Sequence, residues 1–405
     1  AYRRPVTEQE VSRLLKLYDV VGGKDAPFME AIRLPLKAVL VSPRFLFRAE
    51  SQPRPNDPKA VHDLDEFSLA SRLSFFLWST MPDEQLLALA AKKQLRANLA
   101  TEVRRMLKDD RIRAFSKNFA GQWLQLRNLE LAQPDKKRFP GFDDKLRQSM
   151  RDETEAFFSY LLMKNRPVTE FLDADYTFIN SSLARHYGLR GKFGDDLKYV
   201  SLKGTSLPRG GILTHASLLT ITSNPTRTSP VKRGKWVLDN ILGTPVKDPP
   251  PDIPDLDVAA SDSKGKTLRE QLSIHTEKPL CASCHVSMDA IGFSLENYDA
   301  IGRWRLQDAG SPIDSVGKLS TGETFTGALE LQRFIVHGQK EAFVRCLIEK
   351  LLTYSLGRGI EYYDRPELDK IAQRMSESGY RFSDLILYLV ESAPFQKRRG
   401  DFPTE

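Results

Sequence analysis

Cysteine is scarce in this chain. Its 405 residues hold three, Cys281, Cys284 and Cys346. Three cannot build a disulfide framework. Glycine and proline, 24 each, are near average, which excludes collagen-like and low-complexity readings. No apolar run reaches the roughly 18 residues that a spanning helix needs, so the chain is not expected to cross a membrane. Charge of one sign is also short. Lys plus Arg number 60 against 53 Asp plus Glu, and the formal charge of +7 gives little reason to expect a nucleic-acid partner. The opening Ala1-Tyr2-Arg3-Arg4-Pro5 is basic, but no apolar stretch follows, so it does not read as a signal peptide. On that reading the chain is cytoplasmic, or a mature or trimmed product.

What is present reads as a folded protein. Hydrophobic residues make up 40% and charged residues 28%, enough apolar surface for a core. At roughly 150 residues per domain, the length allows two or three domains.

Helical periodicity dominates the first two hundred residues. Thr7 with Glu10 three residues on is a capping box, followed by Val11, Leu14, Leu15 and Tyr18 at helical spacing. A second helix is expected over 28–41, ending before Pro43. Residues 51–58 form a proline-broken linker. Phe115, Phe119, Trp123 and Leu126 mark one helical stripe, and Leu146, Met150, Phe157, Phe158, Leu161 and Leu162 another. Both are expected to face a core. Gly188 and Gly243 each close a helix, and 197–202 is a strand candidate. Pro245, Pro249, Pro250, Pro251 and Pro254 predict an extended connector. Beyond it, a helix covers Leu268–His275, a small hairpin is expected within 308–327, and three helices close the chain near 328–337, 341–356 and 366–394. The expected organisation is an N-terminal helical module over 1–50, a helical module over 59–204, a helical module with the connector over 205–258, and a C-terminal domain over 259–405. The fold class is mainly α, with a small β insertion.

Residues 281–285, Cys-Ala-Ser-Cys-His, carry the chemistry. C-x-x-C-H is the attachment signature of c-type haem. Two thiols one helical turn apart can add to the two vinyl groups along one porphyrin edge. The following histidine can then offer an imidazole nitrogen to iron. Two other readings of the residues stand beside it. A zinc site could use Cys281, Cys284, His285 and His275. A redox-active Cys pair would need a βαβ context, and the surroundings read as helices.

The motif sits in a longer string, 268–302, that includes His275, Met288-Asp289-Ala290-Ile291-Gly292-Phe293 and Leu295-Glu296-Asn297-Tyr298-Asp299. This string resembles the haem module of the large cytochrome-c-type proteins of planctomycetes, whose modules are mostly catalogued as domains of unknown function. The resemblance extends along most of the chain. It is carried by Tyr2-Arg3-Arg4-Pro5 and Ser42-Pro43-Arg44-Phe45-Leu46, then by Ala174-Asp175-Tyr176-Thr177-Phe178-Ile179-Asn180 and His186-Tyr187-Gly188. Gly211-Ile212-Leu213-Thr214, the run 228–236, the run 351–358 and Ser392-Ala393-Pro394-Phe395 complete it. Ala290 departs from the family's usual Pro, and Tyr298 from its usual Phe. Family members often carry a further cytochrome-like domain ahead of these modules, so the chain is expected to be a fragment or processed piece.

The resemblance implies one covalent haem c on Cys281, Cys284 and His285, and hence a C-terminal monohaem domain. Covalent haem is made outside the cytoplasm, so it also implies a periplasmic or cell-surface location. His275 matches the family's His and ranks first as a second iron ligand. Met375, His337 and His215 follow, whereas Met288 is too near His285 to reach across the ring. Arg227, Arg233 and Arg303, with Lys232 and Arg305, are candidate partners for the haem propionates, a role each shares with a plain solvated basic face. His62 and His186 read as structural, and Cys346 as a buried inert thiol. The function expected is electron transfer to a redox partner protein or a further haem domain, with oxidation of a substrate as an open extension. The alternative is a structural or scaffolding subunit of a larger surface assembly, with haem or zinc stapling one domain.

Overall fold

The computed structural model describes residues 1–400 apart from 49, 51, 206, 247–266 and 276–278, and leaves the side chains of 273–284 undescribed. Most of the expected proline connector, Pro249, Pro250, Pro251 and Pro254, lies outside the described residues. The protein is mainly α-helical with a few short strands, as the periodicity predicts. The chain divides into two compact units.

The first unit comprises Ala1–Phe115, Leu352–Glu367 and Ile386–Glu405. The Glu8–Val20 helix opens with the expected capping box between Thr7 and Glu10. The helix predicted over 28–41 is instead two, Phe28–Ala31 and Arg33–Leu40. Pro35 explains the break: it has no N–H to donate to Ala31, so it is tolerated only in the first turn of a restarted helix. The Glu66–Trp78 helix is capped by Asp65 and buried along most of its length. Its Phe76 packs edge-on against Phe115, with ring centroids 5.4 Å apart, and lies 5.8 Å from Phe395. Strand Val61–Asp63 pairs antiparallel with Lys397–Arg399, in the register His62 to Arg398.

The second unit comprises Ser116–Leu351 and Leu368–Leu385. Its longest helix within the first half, Asp144–Met163, is capped by Asp143 and buries the predicted stripe from Leu146 to Leu162. Strands Tyr176–Ile179 and Lys198–Ser201 pair antiparallel beside it. Asn180 then caps Ser181–Tyr187, and Gly188 ends that helix at φ 73°. Pro230–Val237 runs into a π-helical turn, Leu238–Leu242, closed by Gly243 at φ 65°. The region expected to hold one hairpin holds two, 307–312 and 316–326. The final helix expected over 366–394 is broken into Arg365–Glu377 and Phe382–Glu391. Gly379 and Tyr380 both take positive φ there, and the Tyr380 N–H bonds back to the Met375 carbonyl, a left-handed stop that uniform apolar spacing conceals.

Candidate haem-attachment helix

The Cys-Ala-Ser-Cys-His run lies in the helix Pro279–Phe293, which begins with proline in its first turn. Helical spacing places positions 281, 284 and 285 on one face of it. The side chains of Cys281, Cys284 and His275 lie outside the described residues. Backbone helix Leu268–His275 precedes the motif, with Leu268 and Leu272 packed against Phe293 and Val231.

His285 is described, and its geometry is informative. Nδ1 lies 3.1 and 3.2 Å from the two oxygens of Asp289, one turn downstream. A carboxylate accepts, so Nδ1 carries the proton and the ring's lone pair belongs to Nε2. This is the arrangement by which an outer carboxylate fixes the tautomer and orientation of a metal-binding histidine. Only 15% of the His285 side chain and 11% of Asp289 is exposed, which limits competition by water. The residues fit a metal-coordinating imidazole. Asp289 was legible in the sequence as a carboxylate four residues after the motif histidine on a helix.

The second half of the helix is fixed against Pro230–Val237. A Cβ on Gly234 would overlap the Met288 carbonyl, and one on Gly292 would overlap that of Pro230, so the two backbones touch at both glycines. The crossing joins segments on either side of 247–266 within one unit.

Beyond the helix, Glu296 is a buried anion shared by two arginines. Arg233 Nη1 lies 3.2 Å from Oε1, Arg305 Nη2 lies 2.8 Å from Oε2, and the Thr228 hydroxyl donates to Oε2 at 2.7 Å. Burial raises the Glu296 carboxyl while both guanidiniums pull it back. Arg233 is fully buried, and its pKa is lowered to about 10, chiefly by that burial. Its terminal nitrogens also donate to the carbonyls of Leu295, Tyr298 and Asp299 at 2.7–2.8 Å. The structure therefore places Arg233 as a strut holding the turn after the motif helix, with its terminal nitrogens committed inside the protein. Arg305 also pairs with Asp308 at 2.9 Å. Asp299 Oδ1 accepts from the Ile301 and Arg303 amides, so it caps a turn. Arg303 Nε donates to His186 Nδ1 at 3.4 Å, and His186 Nε2 meets the Ile301 carbonyl at 2.7 Å. Arg227 Nη1 donates to the Thr228 carbonyl at 3.2 Å, beside the Glu296 cluster.

The other ligand candidates are dispersed in role. Met375 is buried in the core, and His337 is exposed in the last turn of Gly327–Gly338. His215 is buried, edge-on to Phe157 at 5.0 Å, with Nδ1 3.0 Å from Thr154 Oγ1. Among the described residues no three His, Cys, Asp or Glu side chains form a metal cluster. Cys346 is buried, and desolvation pushes its thiol up to about 11, the mark of an unreactive cysteine.

A second polar centre escapes sequence reading. Glu153 is fully buried and accepts from Thr177 at 2.6 Å and Tyr187 at 2.5 Å. Desolvation pushes its carboxyl up to about 7, against the pull of those two hydroxyls and of Arg209. Arg209 lies 3.7 Å from the Tyr187 ring centroid and donates to the carbonyls of Thr214 and Gly302. His215 lines the same small cavity, and burial, assisted by Arg209, lowers it to about 3. These residues come from separate elements, so nothing in the local pattern announces them.

Four families match successive parts of the chain, each described as a protein of unknown function: DUF1595 over residues 1–50, DUF1592 over 64–189, DUF1588 over 209–308 and DUF1585 over 321–395. The motif helix falls inside the third match, which spans 247–266 as well. No curated protein matches the chain. No solved structure matches it either.

Proposed function

For a multidomain protein assembled from these four modules, which are of a kind associated with c-type cytochromes, we propose a haem c redox role. Cys281 and Cys284 would hold the porphyrin through two thioethers, and His285 would ligate the iron. The bound group would supply one-electron chemistry. The chain's own contribution is positional. Asp289 holds the His285 ring and its proton at Nδ1, and the glycine-to-glycine crossing anchors the motif helix. The Glu296–Arg233–Arg305 cluster fixes the turn that follows. Arg227 and Arg303 are the candidate propionate partners in this reading, and Arg233 supports the turn between them. His275 is the proposed second ligand. The proposed location is the periplasm or cell surface, and the proposed partner is a redox protein or a further haem domain, within a larger complex.

The observation that carries the reading is the Asp289–His285 contact directly behind a C-x-x-C-H run. The test is expression with a c-type haem maturation system, followed by oxidised and dithionite-reduced spectra with and without carbon monoxide. Reduced bands indifferent to carbon monoxide support an electron carrier with two strong protein ligands. Bands that shift point to an open site and substrate oxidation. A chain that folds without haem bands, with zinc bound instead, overturns the haem reading and favours a stapled scaffold.

A further inference from the structure

A cavity of about 280 Å³ opens in the first unit, walled by Arg3, Arg4, Arg44, Arg48 and Arg72. The balance of charge there is unusual. Arg4 and Arg44 share one carboxylate, Glu10, which is itself mostly buried. Arg72 and Arg398 share another, Glu50. Asp65, also in the wall, accepts at Oδ1 from the Phe67 and Ser68 amides at 3.0 Å as a helix cap, and at Oδ2 from the Ser68 hydroxyl at 2.5 Å. Five guanidiniums therefore line the cavity with two carboxylates, Glu50 and Asp65, while Glu10 and Arg398 only pair with lining residues. Arg3 donates to the carbonyls of Phe45, Arg44 and Phe47 at 2.7–3.3 Å, which fixes its position and leaves its charge uncompensated. Arg48 stacks over the Phe75 ring at 5.1 Å, and Arg3 over the same ring at 5.6 Å. Among the described residues neither Arg3 nor Arg48 has a carboxylate partner.

Clustered like charges repel, and the surplus produces a focused positive field inside a concave wall. Guanidinium is weakly hydrated and presents its donors in a planar fork that matches oxyanions two at a time. Where two arginines share one carboxylate, donors remain for an incoming anion. Tyr2 and Phe67 add flat apolar surface, and Ser68 and Ser71 line the same cavity. Its volume is near the lower end for small-molecule sites, which run from about 300 to 1,000 Å³.

We propose that this cavity binds a small polyanion of metabolite size, carrying two or more carboxylate or phosphate groups. The proposal stands apart from the haem site and does not depend on it. The test is calorimetric titration of the full chain at low ionic strength with citrate and, separately, fructose 1,6-bisphosphate, with glucose as the neutral control. One-to-one binding of at least one anion is expected with Kd below about 1 mM, weakening as salt is raised. Citrate alone would identify carboxylates as the class, and the bisphosphate alone would identify phosphates. Arg48→Gln, at an exposed position, is expected to leave the unfolding temperature of the anion-free protein unchanged and to weaken binding by about tenfold. Arg104→Gln, exposed elsewhere in the same unit, should leave affinity unchanged. Absence of binding by both anions, equal binding to glucose, or equal effects of the two substitutions would each overturn the proposal.

Discussion

His285 and Asp289 stand one helical turn apart with the imidazole Nδ1 shared between both carboxylate oxygens, at 3.1 and 3.2 Å. The pair couples the last residue of the C-x-x-C-H run to a group outside it. In the proposed holoprotein, Asp289→Asn keeps the size of the side chain but removes the charge that makes the imidazole electron-rich. An electron-rich ligand favours ferric iron, so its loss should raise the reduction potential. Second-shell losses of this kind weaken a ligand by about tenfold or more, and a tenfold change between oxidation states corresponds to about 59 mV for one electron. Spectroelectrochemical titration of wild type and variant reads the shift. An unchanged potential would show that the contact has no bearing on the metal.

Arg233 and Glu296 predict an asymmetry. Arg233→Met leaves Glu296 with Arg305 and the Thr228 hydroxyl and strands the carbonyls of Leu295, Tyr298 and Asp299. The cost of breaking such a buried pair is about 3–5 kcal/mol. The double variant Arg233→Met/Glu296→Gln removes the stranded charge and should recover part of that loss. Urea unfolding of the three proteins decides it, and additive costs would contradict the coupling.

Stability should depend on pH in two opposing ways. Glu153 is raised from 4.5 to about 7 in the fold, so its contribution is complete below pH 4.5 and is lost as pH rises through 7. His186 and His215 are each lowered from 6.5 to about 3, chiefly by desolvation. Their contribution is complete above pH 6.5 and is lost as pH falls toward 3. Glu153→Gln removes only the first effect. The stability of the variant relative to wild type should therefore climb from pH 4.5 and level off above pH 7, by about 3 kcal/mol in all. Urea midpoints across that range provide the measurement. A difference that stays flat would mean Glu153 titrates normally.

The helix crossing gives a steric prediction. Gly234→Ala and Gly292→Ala each place a methyl group on a carbonyl of the opposite helix. Backbone cannot step aside as a flexible side chain can, so each should cost several kcal/mol and, in the proposed holoprotein, impair haem attachment. Gly194→Ala, where a Cβ meets nothing within 4 Å, should be neutral. Haem yield per chain and thermal unfolding together separate a local from a global defect.

What could be read from the sequence follows the range of the interactions involved. The capping box of Thr7 and Glu10, the stripe from Leu146 to Leu162, and the stops at Gly188 and Gly243 are all local, and the chain pattern displays them. So is the helix that carries the motif. The breaks at Ile32 and at Gly379–Tyr380 had visible signals in Pro35 and Gly379, but apolar spacing that continues across both outweighs them. Asp289 lay within reach, four residues from a histidine on a helix. The contacts of Gly234 with Met288, and of Glu153 with Tyr187 and Arg209, join residues tens of positions apart. Only the folded chain brings them together.

The pairing of Val61–Asp63 with Lys397–Arg399 sets an order of events in time. A ribosome or an export channel delivers position 61 long before position 399. Until then the early strand has no partner, and the core around Phe76 lacks Phe395. Contacts this distant in sequence close slowly, because a long loop must be ordered before they reward it. The first unit thus acts as a clasp fastened by its last-made strand, Lys397–Arg399. A chain cut before Lys397 would lose that strand, leaving Val61–Asp63 and the helix of Phe76 exposed to proteases and to neighbouring molecules.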